Sequence, residues 1–144
     1  MSTFTVDISN KIKTMLQTVA NLNGVYEYEP ATPTSGQYPF ASITTGGAPE
    51  ASFGDTQRNL RTYRFSIRVY QERTEAAFGN EKAERIIREI QDAVFTLFDE
   101  NTTLDGMVKK VSPVTCDTEH VDREVGDTRV AEFLVDCLCV TDSN

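Results

Sequence analysis

Histidine is nearly absent from this chain, which has a single copy at His120, and no two cysteines stand in a CxxC arrangement. Ser-His-Asp and Cys-His catalysis would both have to run through His120, in the polar stretch Cys116-Asp117-Thr118-Glu119-His120, which reads as surface between strands. Cys116, Cys137 and Cys139 do not have the spacing of a zinc site, and Cys137 and Cys139, two apart in a strand-like run, point the same way along it. Three thiols, with no basic-then-apolar leader at Met1–Thr5, lead to the expectation of reduced cysteines in a cytoplasm and no secretory signal. No apolar run approaches the roughly 20 residues that span a bilayer. No Gly-Lys-Ser/Thr follows the glycines at 46 and 47, so they do not form a phosphate-binding loop. Repeats and low-complexity segments are also missing.

Basic charge is the next shortage. Fourteen Lys and Arg stand against 22 Asp and Glu, a net charge of -8. Such a chain repels a phosphate backbone, which argues against general affinity for DNA or RNA but is compatible with letting DNA pass without sticking. Aromatics interleave with basic residues only at Arg61–Phe65, where they alternate into a core as in an ordinary strand. Asp122, Glu124 and Asp127 lack calcium-loop spacing and read as an acidic turn. No carboxylate sits in an apolar setting that would raise its pKa for acid–base work. These absences give the expectation of a non-enzyme with no cofactor and no metal.

The residues that are present describe one domain. A length of 144 residues with 39% hydrophobic and 25% charged residues is enough for a single two-layer core. Ile8, Ile12, Met15, Leu16 and Val19 recur at helical spacing; Asp7 or Ser9 is the expected cap and Gly24 the expected end. A short strand over Val25–Glu29 and a second over Phe40–Thr45 follow, separated by the loop Pro30–Gly36. Gly46–Asp55 reads as a long exposed loop of the kind that carries binding. Over Gln57–Gln71, Tyr63, Phe65, Ile67 and Val69 alternate with Arg64, Ser66, Arg68 and Tyr70, the clearest strand in the chain. A second helix over Asn80–Asp99 carries the stripe Ala83, Ile86, Ile87, Ile90, Val94, Leu97 and Phe98. After a turn at Asn101–Gly106, a strand over Met107–Cys116 is broken or set at an edge by Pro113, and a turn around Gly126 leads to a last strand over Thr128–Thr141. The expected fold is α+β: two helices packed on one face of a mostly antiparallel sheet of about five strands.

The last strand has apolar residues on both faces. With Ala131, Phe133, Val135, Cys137 and Cys139 turned to the helices, Leu134, Leu138 and Val140 fall on the open face together with Glu132 and Asp136. The long strand would add Arg64, Arg68 and Tyr70 to that face, giving the aliphatic, aromatic and charged mixture of a protein interface. Arg64, Arg68, Tyr70, Glu132, Leu134, Asp136 and Leu138 are therefore the candidate subunit interface. Glu50, Phe53, Asp55 and Arg58, in and beside the long loop, are the candidate contact with another protein. Charge is also segregated. Thr56–Gln71 contains four arginines and no acid, whereas Asp117–Asp142 contains eight acids and two arginines. Two readings stand side by side: ion pairs between neighbouring strands of one chain, or a basic edge meeting an acidic edge of the next subunit in a head-to-tail contact.

A family resemblance rests on order and spacing. Asn23-Gly24-Val25-Tyr26-Glu27-Tyr28-Glu29-Pro30 is followed by Tyr38-Pro39-Phe40-Ala41-Ser42-Ile43, then by Arg61–Tyr70 leading into Gln71-Glu72-Arg73. The helical Ala83–Ile90 precedes Asp92-Ala93-Val94, and the chain closes through Val130–Val135. Over nearly its whole length this series resembles the small tail terminator, or tail completion, proteins of siphophages and related prophages. The resemblance implies a structural virion protein, assembled in the bacterial cytoplasm into a ring, usually a hexamer, on the head-proximal end of the tail tube. There it would end tube polymerisation and dock to the head–tail connector, with DNA passing through its lumen. It implies no catalytic residues. Rival readings are a neck, head-closure or tail tube protein, and a small α+β enzyme or ligand-binding domain, which would need a pocket of convergent polar groups.

Overall fold

The computed structural model describes residues 4–28, 38–45, 50–53, 58–72, 80–112, 114–123 and 126–142. Two helices, α1 (Phe4–Leu16) and α2 (Asn80–Glu100), accompany seven strands: β1 (Gly24–Tyr26), β2 (Phe40–Thr45), β3 (Glu50–Phe53), β4 (Arg58–Glu72), β5 (Lys110–Val111), β6 (Thr115–Arg123) and β7 (Gly126–Asp142). All seven belong to one sheet of order β1-β2-β4-β7-β5, with β3 also on β4 and β6 also on β7. The class is α+β as expected, but the sheet is curled, and it is mixed because β1 runs parallel to β2.

The seven strands lie along five tracks. β2 pairs with β4 from Phe40↔Tyr70 to Thr45↔Phe65, and β3 resumes on the same side at Glu50↔Thr62, passing over Tyr63 and Arg64. On the far side of β7, β6 pairs up to Thr115↔Leu134 and β5 resumes at Val111↔Cys137, with Ser112 N–H donating to the Asp136 carbonyl between them at 2.9 Å. The expected strand over Met107–Cys116 is thus split into β5 and β6; Pro113 lies outside the described residues. The central β4–β7 ladder is unbroken from Arg58↔Asp142 to Glu72↔Thr128.

Several boundaries move. α1 begins at Phe4, so Asp7 and Ser9 lie inside it, and it ends at Leu16 well before Gly24, which opens β1. Glu50–Phe53, read as loop, is β3: its backbone is satisfied by β4. Asp117–His120, read as a polar link, is part of β6, which lies on the outer side of β7 where an edge strand tolerates polar residues. β6 and β7 meet at Arg123↔Gly126, in keeping with the expected turn there.

The main core lies between the helices and one face of the sheet. Phe65, Ile67 and Val69 of β4 and Phe133, Val135, Cys137 and Cys139 of β7 pack with Ile87, Ile90, Val94 and Phe98 of α2 and Ile8, Ile12 and Leu16 of α1. Tyr63 and Ile86 pack at its margin. A carboxylate–guanidinium pair also joins α2 to the sheet: Arg129 donates to Glu84 through Nε at 3.0 Å and Nη2 at 3.4 Å, and Nη2 reaches Thr118 Oγ1 of β6 at 3.1 Å.

Candidate assembly surface

The side chains opposite the helices were expected to form one open face. Antiparallel register puts Phe40, Tyr70 and Val130 directly across from one another on that side, and there they build a second, smaller core. Phe40 stacks on Tyr70 with ring centroids 4.9 Å apart, and Tyr38 and Tyr26 close around Phe40 at 5.3 and 5.9 Å. Tyr70 is consequently only 3% exposed. The placement of Tyr70 on an accessible surface is corrected: the strand parity holds, but β1, β2 and Tyr38 cover that end of the face.

The rest of the face is open and charged. Arg64 lies opposite Asp136 and holds it from Nε at 2.8 Å and Nη2 at 3.2 Å. Arg68 lies opposite Glu132 and donates from Nε at 2.9 Å; Ser66 Oγ donates to the same oxygen at 2.9 Å. Arg68 drives the Glu132 carboxyl below the usual carboxylate range, with help from Ser66 and against partial burial. The same contact, assisted by Tyr70, raises the Arg68 guanidinium further. Of the two readings of the segregated charge, pairing within one chain is therefore realised. Arg58 is in register with Asp142 as well.

Between these pairs stands Leu134, 39% exposed, opposite Ser66 on one side and Thr115 on the other. Leu138 is half-buried on the same face and lies across from Lys110. A shallow cavity of about 190 Å³ is lined by Leu134, Glu132, Thr115, Cys116 and Asp117. Leu134 is thus an exposed aliphatic flanked by two ion pairs. Of the residues expected to touch another protein, Glu50 and Phe53 lie in β3 and Arg58 opens β4, while Asp55 is outside the described residues.

A larger groove of about 550 Å³ was not anticipated. Thr5, Val6, Ser9 and Asn10 of α1 form one wall, Glu27 and Tyr28 after β1 the other, and Ile43–Thr45 with Phe65 the floor. Another depression, of about 360 Å³, separates the end of α1 from α2 around Val19, Ala93 and Leu97. In the first, Ser9 Oγ donates to the Glu27 carboxylate at 2.8 Å. Among the described residues no three His, Cys, Asp or Glu side chains are placed to hold a metal, and no helix is long and apolar enough to cross a membrane. The three cysteines are free, and burial pushes the Cys137 thiol up to about 12 and the Cys116 thiol to about 11.

No protein family profile and no curated protein sequence matches this chain. Among solved structures it is similar to a chain in the virion of a native gene transfer agent particle, with a TM-score of 0.52 and 15% identity over 93% of this chain and 95% of that one. At that identity the likeness is one of fold.

Proposed function

We propose that the chain is a structural, non-catalytic protein of a phage-like virion, and within that class a tail terminator. It forms a closed ring, a hexamer, on the head-proximal end of the tail tube, ends tube growth and offers the head–tail connector its docking surface. The observation that carries this reading is the fold shared nearly end to end with a chain of a gene transfer agent virion. The likeness of the sequence pattern to tail terminators narrows it. The open face supplies a contact with a neighbouring subunit: Leu134 and Leu138 give apolar area, while Arg64, Arg68, Glu132 and Asp136, already paired within the chain, orient the contact more than they strengthen it. Such a head-to-tail contact either closes or grows without limit. The net charge of -8 would leave the lumen repulsive to phosphate, so DNA slides through.

Electron microscopy of the purified protein, alone and with tail tube ends, tests this. A terminator gives discrete rings that cap tubes. A tube subunit gives filaments of indefinite length by itself. A protein that stays monomeric at high concentration with tube ends present is neither.

A further inference from the structure

The two edges of the sheet carry complementary surfaces. At the β1 edge is the groove between α1 and the residues following β1. Val6 and Tyr28 stand 55% and 61% exposed on its walls. Between them the Glu27 carboxylate is held by neutral donors: Ser9 Oγ at 2.8 Å and, with its amide oriented to donate, Asn10 at 2.7 and 3.1 Å. No lysine or arginine among the described residues pairs with Glu27. The groove thus sets exposed apolar surface at Val6 and Tyr28 beside one fixed negative charge that meets no cation among the described residues.

At the opposite end of the strand order, the turn over 102–109 runs directly into β5. It presents Met107, 38% exposed, followed by Lys109 and Lys110, both exposed and without a carboxylate partner among the described residues. The turn is anchored at several points. Leu104, Asp105 and Gly106 all take positive φ, at 48°, 58° and 85°. Leu104 is fully buried beneath it, Lys11 of α1 pairs with Asp105, Gly106 N–H donates to Thr103 Oγ1 at 3.2 Å, and Val111 N–H donates to the Thr102 carbonyl at 2.7 Å. An exposed apolar tip with two cations, fixed in advance, loses little freedom on docking.

With about 100° between successive residues, α1 turns Val6 and Ser9 to the groove and Lys11 to the turn, so the two surfaces flank the helix on opposite sides. They also lie at similar heights along the sheet. Thr45 is across from Phe65 and Phe65 from Val135, only three residues, roughly 10 Å, from Leu138, which lies across from Lys110. We infer that the groove of Val6, Glu27 and Tyr28 receives the Met107–Lys110 turn of a second copy of this chain, edge to edge, with Lys109 or Lys110 on Glu27. Because the two halves differ, the contact is heterologous and repeats from protomer to protomer. This inference rests on the ring reading and adds an edge contact to the one that the open face around Leu134 supplies.

The test is charge reversal with rescue, read by analytical ultracentrifugation and electron microscopy. Glu27→Lys, and separately Lys109→Glu with Lys110→Glu, should abolish rings under conditions where the unaltered protein is fully assembled, and the triple variant should restore them. As a check that does not depend on rescue, Tyr28→Cys with Met107→Cys in a Cys116→Ser background should give, with a short bis-maleimide, a ladder of linked protomers ending at one closed species. Rings that survive both reversals, or that form without any cross-link between the two introduced thiols, overturn the edge contact and leave the ring reading standing. An unaltered protein that remains monomeric overturns both.

Discussion

Arg68 on β4 and Glu132 on β7 are direct antiparallel partners, and the guanidinium Nε lies 2.9 Å from the carboxylate. The sequence places the arginines in one segment and the acids in another; the ladder brings the two segments together. Each side chain is partly exposed, so the pair is a modest stabiliser, worth about 0.2–1 kcal/mol at ordinary salt. Its greater effect is on pH response. Because the folded chain holds Glu132 below the usual carboxylate value, the stabilisation is present above that value and disappears as pH falls through the lowered one. Thermal melts of the native chain should therefore lose stability on acidification below about pH 4.3. Glu132→Gln should flatten part of that loss; an identical acid profile in the variant would remove Glu132 from the account.

Arg129 is a stronger link. It is mostly buried, grips Glu84 of α2 with two nitrogens and also reaches Thr118 of β6. Arg129→Ala should cost about 1.5–3 kcal/mol in urea unfolding, as expected for hydrogen bonds to a charged group, since the exposed Arg88 that also meets Glu84 lies on α2 itself and cannot tie the helix to the sheet. A loss no larger than that of Arg64→Ala on the open face would show that the clamp adds nothing beyond a surface pair.

The main core should behave as a close-packed interior. Ile67 and Ile90 are fully buried in the same cluster, and truncating either to Ala should destabilise the chain by roughly 2–5 kcal/mol. The midpoint of denaturant unfolding measures this, with an unchanged slope expected.

Leu134 should act in the opposite way. It is on the open face, so Leu134→Asp should change monomer stability by only about 0.5 kcal/mol while weakening assembly. Comparing unfolding curves with sedimentation profiles separates the two effects. Normal assembly of the variant would remove Leu134 from the interface.

Cys137 and Cys139 are buried, and the Cys137 thiol is pushed up to about 12, so neither supplies much thiolate near neutral pH. A thiol reagent at pH 8 should modify them only as fast as the chain opens, and in denaturant all three cysteines should react at once. Prompt labelling of the native protein at Cys137 would show that this end of β7 is not closed.

Much of this was legible in the sequence because periodicity reports burial. The alternation of Phe65, Ile67 and Val69, the stripe through Ile87, Ile90 and Val94, and the parity of β7 all hold, and Phe40–Thr45 is a strand with those very ends. Features decided by distant partners were not legible. Glu50–Phe53 has a proline just before it and a glycine just after it, and becomes a strand only because β4 is beside it. β6 is polar because its place on the outer side of β7 does not demand apolar residues. Tyr70 continues an exposed alternation but is buried by Tyr38 and Phe40, from beyond the proline-containing segment. For the candidate surface, the sequence identifies the open-face residues, yet the groove at Val6 and Tyr28 depends on how α1 settles against the β1 edge, which no local spacing encodes.

The two changes of neighbour in the sheet align. Among the described residues, the outer ladder on β4 passes from β2 to β3 across Tyr63 and Arg64, the outer ladder on β7 passes from β6 to β5 across Val135 and Asp136, and Arg64 is opposite Asp136. At the second change Ser112 N–H donates to the Asp136 carbonyl at 2.9 Å, so β7 keeps an outer backbone partner there. Among the described residues β4 and β7 alone run unbroken past both changes, so the Arg64–Asp136 pair clasps the sheet where its outer strands hand over.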